Sequence, residues 1–104
     1  MAEHLIVTTT VNTPEAAHAL AAAAVEARLA ACVQIVPVTS VYRWDGATQT
    51  DGEWRVECKT VAGRVEELLA QLRGSHSYDV PELIVTPVVG GGADYLDWVA
   101  AETR

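Results

Sequence analysis

An α+β fold with the element order β-α-β-β-α-β is predicted by three observations. A β-branched run opens the chain, two amphipathic helical stretches follow Thr13-Pro14 and Gly63, and a long period-two segment flanks Asp45-Gly46. His4 to Val11 is apolar and rich in Val, Ile and Thr, whose stiff side chains suit a pleated surface, so it reads as a buried first strand. Thr13-Pro14 marks a helix start, because threonine can cap the free N–H groups of the first turn and proline at the first helical position loses nothing. An alanine-rich helix is expected from Ala16 to Ala31, with Glu15, His18, Ala22 and Glu26 on its wetter stripe and Leu20, Ala21, Ala24 and Val25 toward the sheet. Small residues on that face imply a close helix-to-sheet approach.

Cys32 to Trp44 returns to strand composition. After Asp45-Gly46 the chain reads as extended to Thr60, with Trp54, Val56, Cys58 and Thr60 on one face and Glu53, Arg55, Glu57 and Lys59 on the other. Asp-Gly suits a type I′ turn, whose two central residues need positive φ, so these strands form a hairpin. Asp51-Gly52 is a second candidate turn, or a bulge. Pro37 cannot donate to a ladder and belongs at a kink or an edge. Gly63 to Arg73 carries Val65, Leu68, Leu69 and Leu72 on one helical face, with Gly74 as its stop. Leu83 to Val89 is expected as a fourth, buried strand in which Pro87 marks an edge or a kink. Gly90-Gly91-Gly92 is a break, and Asp94 caps a short terminal helix bearing Tyr95, Leu96, Trp98 and Val99.

Right-handed crossovers fold this order into a four-stranded antiparallel sheet with both main helices on one face, the ferredoxin-like arrangement. Strands of about 5–6 residues suffice for such a sheet, yet the arms around Asp45-Gly46 are more than twice that long. The hairpin must therefore project beyond its own subunit. A bare ribbon carrying Tyr42, Trp44 and Trp54 invites aggregation unless a partner covers it, so self-association is expected. With 104 residues, one domain over residues 1–104 is expected, since domains run to about 100–150 residues.

Fourteen acidic residues against seven basic ones leave a net charge of −7, which repels phosphate backbones and anionic lipid. No nucleic acid and no membrane are expected as partners. The N-terminus has an acidic residue where an export signal needs a basic one, and its apolar run is short, so a cytoplasmic location is expected. Cys32 and Cys58 lack C-x-x-C spacing and read as two buried thiols without a disulfide framework.

Four segments resemble one family: LAACVQIVPVTSVYRWDG from Leu29 to Gly46, ECKT from Glu57 to Thr60, HSYDVPELIVTPVVGG from His76 to Gly91, and DYLDWV from Asp94 to Val99. Together, in this order over nearly the whole chain, they are similar to the CutA divalent-cation tolerance family. The resemblance implies a tight homotrimer whose long hairpins extend sheets across subunit boundaries, and a role in tolerance to divalent metals, copper especially, with no established reaction. It also implies that Cys32, Trp44, Lys59, His76, Tyr78, Glu82, Tyr95 and Trp98 gather near clefts between subunits. Two departures stand out: His76-Ser77-Tyr78 replaces the family's frequent His-Pro-Tyr, and Thr8, Thr9 and Thr10 stand where some members carry a cysteine.

Cu(I) wants thiolate, and Cu(II) takes imidazole and carboxylate, so the metal candidates are Cys32, His76, Asp79 and Glu82, for Cu(II) or another divalent cation. A loop histidine is more often solvated than ligating, and a thiol beside an apolar strand is more often buried than reactive. Trp44, Lys59, Tyr78, Tyr95 and Trp98 are the cleft candidates. Lys59 is expected to pair with Glu57 or Glu53, and the aromatics to serve as packing anchors. His4 and His18 read as surface residues. No G-x-S-x-G, P-loop, H-E-x-x-H or G-x-G-x-x-G occurs, so neither an enzyme nor an organic cofactor is expected. The alternatives to metal homeostasis are a small-molecule sensor like the PII signalling trimers, using Lys59, Tyr78 and Trp98, and an interaction scaffold.

Overall fold

A β-branched strand that must hide one face, followed by an alanine-rich helix able to lie close to it, begins the architecture. The computed structural model describes residues 3–104. The elements are β1 (His4–Val11), α1 (Pro14–Glu26), β2 (Cys32–Trp44), β3 (Ala47–Val61), α2 (Val65–Ser75), β4 (Ile84–Pro87) and α3 (Ala93–Glu102), with a 3₁₀ turn at Ala62–Arg64 before α2. The sheet order is β2-β3-β1-β4 with every neighbour antiparallel, so the ferredoxin-like expectation is met.

The core lies between one sheet face and two helices. Val7, Val11, Val56 and Cys58 from the strands meet Ala17, Leu20 and Ala24 of α1 and Leu68 and Leu72 of α2. Two buried threonines on that face add polar atoms. Thr60 Oγ1 is satisfied by donating to the Leu29 carbonyl at 2.6 Å, as a buried hydroxyl requires. The expected division of β3 holds: Val56, Cys58 and Thr60 are buried, while Arg55, Glu57 and Lys59 on the other face are partly exposed.

α1 starts as expected, with Thr13 Oγ1 accepting from Ala16 N–H at 3.1 Å and Pro14 in the first turn. It stops five residues before the expected Ala31. Arg28 takes φ 60°; its N–H bonds the Val25 carbonyl and Leu29 N–H bonds the Ala24 carbonyl, both at 3.0 Å. That pairing is the Schellman termination, here without the usual glycine. It drops Leu29 and Ala30 into the core. On α1, Ala17 joins Leu20 and Ala24 in the buried stripe, whereas Val25, expected inside, is 42% exposed. The Arg28 side chain then reaches the C-terminal segment, donating to the Ala101 carbonyl at 3.0 Å and the Arg104 carbonyl at 3.2 Å.

Asp45 and Gly46 adopt φ 53° and 78°, the positive pair a type I′ turn requires. Asp51-Gly52 is neither turn nor bulge, since it lies in an unbroken ladder opposite Ser40 and Thr39. Pro37 is tolerated because β2 is an edge strand. α2 includes Gly74 and ends at Ser75, one residue past the expected stop. Gly92, not Asp94, precedes α3, and Asp94 sits in its first turn. The fourth strand is shorter than expected and exposed along its length; it is an edge strand with Pro87 as its last residue.

β1 pairs with β3 only as far as Val11 opposite Trp54. Beyond that point seven β2–β3 pairs, Val38 opposite Glu53 through Trp44 opposite Ala47, form a two-stranded ribbon, roughly 23 Å long at about 3.3 Å per residue. The molecule accordingly measures 44 × 25 × 21 Å with a radius of gyration of 14.2 Å, against about 13 Å for a compact chain of this size.

Ala24 is fully buried and Ala22 is exposed, which gives a direct test of the packing. Ala24→Leu is expected to lower unfolding free energy by about 1–3 kcal/mol through overpacking, and Ala22→Leu to change it by less than about 0.5 kcal/mol. Urea denaturation of both variants measures this; equal effects would overturn the assignment of the faces.

Candidate functional site

The segment after α2 is fastened to the sheet by His76. Its Nε2 lies 2.9 Å from the Thr10 carbonyl and 3.0 Å from Thr9 Oγ1, and its Nδ1 lies 3.1 Å from Tyr78 N–H. A carbonyl only accepts and an amide N–H only donates, so Nε2 carries the proton and Nδ1 accepts: the ring is a neutral imidazole in a fixed tautomer. Tyr78, with its ring 4.8 Å from that of His76, reaches across to the hairpin and donates its hydroxyl to Glu53 Oε2 at 2.7 Å. On the ribbon, Tyr42 donates to Asp51 Oδ2 at 2.5 Å.

These contacts hold both phenols in the protonated form. Burial, then the Glu53 bond, raises the Tyr78 pKa above the usual phenol value; Tyr42 is raised chiefly by its bond to Asp51. Both hydroxyls therefore act as donors throughout the neutral range. Between ribbon and loop lies a cavity of about 560 Å³ whose walls include Tyr42, Trp44, Tyr78, Val80, Glu53 and Glu82. Trp44 and Tyr78, expected in a cleft between subunits, and Glu82, expected as a metal candidate, line this cavity together with Tyr42 and Glu53, which were not among the expected residues although Tyr42 alternates in phase with Trp44 on one face of the ribbon.

The remaining candidates sit elsewhere. Cys32 pairs with Lys59, which in turn pairs with Ile6, four residues along β1 from the Thr10 that His76 contacts. At about 3.3 Å per residue that is roughly 13 Å. His76, Cys32, Asp79 and Glu82 thus do not converge within one chain, and among the described residues no group of three or more His, Cys, Asp or Glu side chains is placed to hold a metal ion. Lys59 donates to Gln34 Oε1 and to neither expected glutamate; Glu57 is taken by Arg55 at 3.5 Å.

Tyr95 and Trp98 of α3 face each other with ring centroids 5.6 Å apart. Tyr95 lies near Cys32, and its pKa is raised by burial and then by the Cys32 thiol. Cys58 is the fully buried thiol, pushed up to about 12 by burial and so inert as a nucleophile; Cys32 is only partly buried. His4, expected on the surface, is half-buried with Nε2 2.8 Å from the Leu96 carbonyl.

Residues 5–102 match the family described as CutA1 divalent ion tolerance protein. The chain belongs to this family. The chloroplastic protein CutA of Arabidopsis thaliana is 43% identical over 101 residues, covering 96% of this chain but 56% of that protein, so the chain spans little more than half of this plant relative. The divalent-cation tolerance protein CutA of Thermus thermophilus is 41% identical over 99 residues, covering 94% of this chain and 96% of the relative. The structure of CutA from Synechococcus elongatus superposes with a TM-score of 0.96 at 38% identity, over 100% of this chain and 93% of that one. None of these three is named as a PII-type sensor, so that alternative gains no support from them.

In this CutA1 chain the two departures noted in the sequence meet in space. Thr9 and Thr10, at the end of β1, supply the oxygens against which His76 leans, and Ser77 lies between the two residues that close the Nδ1 contact. The threonines therefore hold the histidine in place.

Tyr78→Phe, which strips Glu53 of its donor, is expected to cost about 1–2 kcal/mol. A pKa raised in the folded state means that the neutral phenol favours folding. That contribution is full below the unfolded phenol value of about 10 and is lost as pH rises through the folded value. The Tyr78 contribution should stay constant across neutral pH and be lost above about pH 10, so stability should fall there less steeply in Tyr78→Phe. Urea melts at a series of alkaline pH values read both effects, and identical slopes for the two proteins would contradict the assignment.

Proposed function

We propose that this chain acts as a homotrimer in tolerance to divalent cations, binding Cu(II) or another divalent metal ion through groups that come together only between copies. The observation that carries the reading is the ribbon. Val41 and Trp44 on it are 67% and 53% exposed, and Ile84 on the β4 edge is 52% exposed. An apolar ribbon and an unpaired apolar edge are each an association hazard alone, and together they offer complementary pairing partners. Assembly of three subunits would cover both. It would also bring the hairpin end of one copy, with His76, Asp79 and Glu82, toward the Cys32 end of another.

The chemistry of the donors supports a weak, cation-selective site. Asp79 and Glu82 are exposed carboxylates, and the net charge of −7 raises the local concentration of cations. His76 would bind through Nδ1 only by giving up the Tyr78 N–H, so metal binding would be coupled to the loop. Lys59, Tyr95 and Trp98 belong to the second end of such a cleft, with Trp44 and Tyr78 at the first. We read the protein as a non-enzymatic, cytoplasmic one without nucleic-acid partners. No helix among the described residues is long and apolar enough to cross a membrane.

Sedimentation equilibrium at micromolar concentration is expected to give three times the subunit mass, and Trp44→Glu to dissociate it; a stable wild-type monomer would overturn the assembly. Calorimetry with Cu(II) is expected to show binding that weakens about ten-fold or more in Cys32→Ser with His76→Ala. Unchanged affinity would remove these residues from the metal site while leaving the trimer untouched.

A further inference from the structure

The structure assigns to α3 the role of a hinged lid, which opens as a unit about Gly90–Gly92 and is latched at its far end by Arg28 and Arg64. Neither arginine belongs to the ribbon or to the metal candidates, and hinge, lid and latch all lie within one chain.

Packing holds the lid lightly. Val99 is the one buried residue of α3, with Thr103 buried just beyond the helix. Beneath α3 lies a cavity of about 170 Å³, walled by His4 and Ile6 of β1, Thr60 of β3, and Leu96 and Val99 of the helix. Side chains that face a void lose the dispersion contacts a filled core would give them. An element with so little buried apolar surface opens at a lower free energy than the sheet it covers.

The near end is a run of three glycines. None of them has positive φ. A Cβ would meet nothing within 4 Å at Gly90 or Gly92, and at Gly91 it would make ordinary contact with Leu96 at 3.6 Å. Neither backbone conformation nor close approach therefore calls for glycine here. What three in succession supply is backbone freedom, and a hinge must absorb changes in φ and ψ.

At the far end the holding contacts are polar. Arg28 donates to the Ala101 carbonyl at 3.0 Å and the Arg104 carbonyl at 3.2 Å, and Arg64 Nε donates to the Thr103 carbonyl at 2.7 Å. The last carbonyls of a helix have no partner within it, so the two arginines supply donors that α3 lacks. Such bonds exchange for bonds to water at small net cost, which suits a latch. Arg28 is also the left-handed residue that ends α1; its backbone closes one helix and its side chain fastens another. Lys59 and Tyr95 line the same cavity, so opening would govern access to the end of the cleft that holds them. That consequence rests on the proposed trimer, whereas the hinge does not.

The test is hydrogen–deuterium exchange of the full chain in its native assembly, read by mass spectrometry. Amides of residues 93–103 are expected to exchange together, about ten-fold or more faster than those of β1 and its β3 partners. Arg28→Gly keeps the left-handed turn without strain and removes the latch. It should speed exchange in α3 about three- to ten-fold while leaving β1, β3 and the last turn of α1 unchanged, and Arg64→Met should act in the same direction. Gly90→Ala with Gly92→Ala should slow α3 about two- to five-fold by stiffening the hinge. Exchange of α3 at the rate of the sheet, acceleration in Arg28→Gly that is absent or spread evenly over the chain, or no slowing in the double alanine variant would each overturn the lid. Sedimentation reads the trimer separately, so the failure of one reading leaves the other standing.

Discussion

The structure depends on β3 belonging to two ladders along part of its length and to one along the rest. From Trp54 to Lys59 it is flanked by β1 and β2, and its alternate side chains are driven into the core. From Ala47 to Glu53 only β2 accompanies it. Core and ribbon are therefore one continuous strand, and the phase set by burying Val56 and Cys58 carries forward into the ribbon. With a period of two, placing those residues inward fixes Glu53 and Asp51 on the opposite face. Cross-strand pairing then fixes Tyr42 and Trp44 beside them. The face of the candidate site is thus determined by packing that lies a dozen or more ångströms away.

This explains what was legible in the sequence. Alternation over Glu53 to Thr60 and the Asp45-Gly46 turn are local signals, each with one dominant physical cause, and the structure repeats them. The end of α1 was not legible because its stop is a left-handed arginine, a residue whose conformational cost of about 1–2 kcal/mol is set against the burial of Leu29 and Ala30 and the carbonyl contacts of its own side chain. Glycine signals failed in the opposite direction. Gly74 lies inside α2, and Asp51-Gly52 inside an intact ladder, because neighbouring residues on both sides continue the hydrogen bonding and a glycine merely tolerates it.

The site divides along the same line. Trp44 was expected near a subunit cleft from the resemblance alone, and the contacts of His76 could not be read from the sequence at all. Its partners Thr9 and Thr10 are more than sixty positions away in sequence, and nothing local distinguishes a ligating imidazole from one whose two nitrogens already have protein partners. Likewise, Cys32 and His76 are both capable of binding copper, yet the antiparallel register of β1, β3 and β2 carries them to opposite ends of the sheet. Chemical competence is a property of residue type. Convergence is a property of register, and it was settled by pairings between distant segments.

The choice of partners for the hairpin carboxylates is the last step. Glu53 is partly buried and needs a donor, Asp51 is exposed and takes one as well, and an arginine would satisfy either as well as a phenol does. It would also cancel their charge. A tyrosine hydroxyl supplies the hydrogen bond and leaves the negative charge in place, because its raised pKa keeps it neutral far above physiological pH. Two residues farther along the strand, Arg55 does neutralise Glu57, so the contrast lies within a single strand face. Carboxylates that are hydrogen-bonded but not neutralised keep a negative field at the base of the hairpin. In a protein carrying a net charge of −7, that field is local and oriented by fixed hydroxyls, which diffuse surface acidity cannot provide.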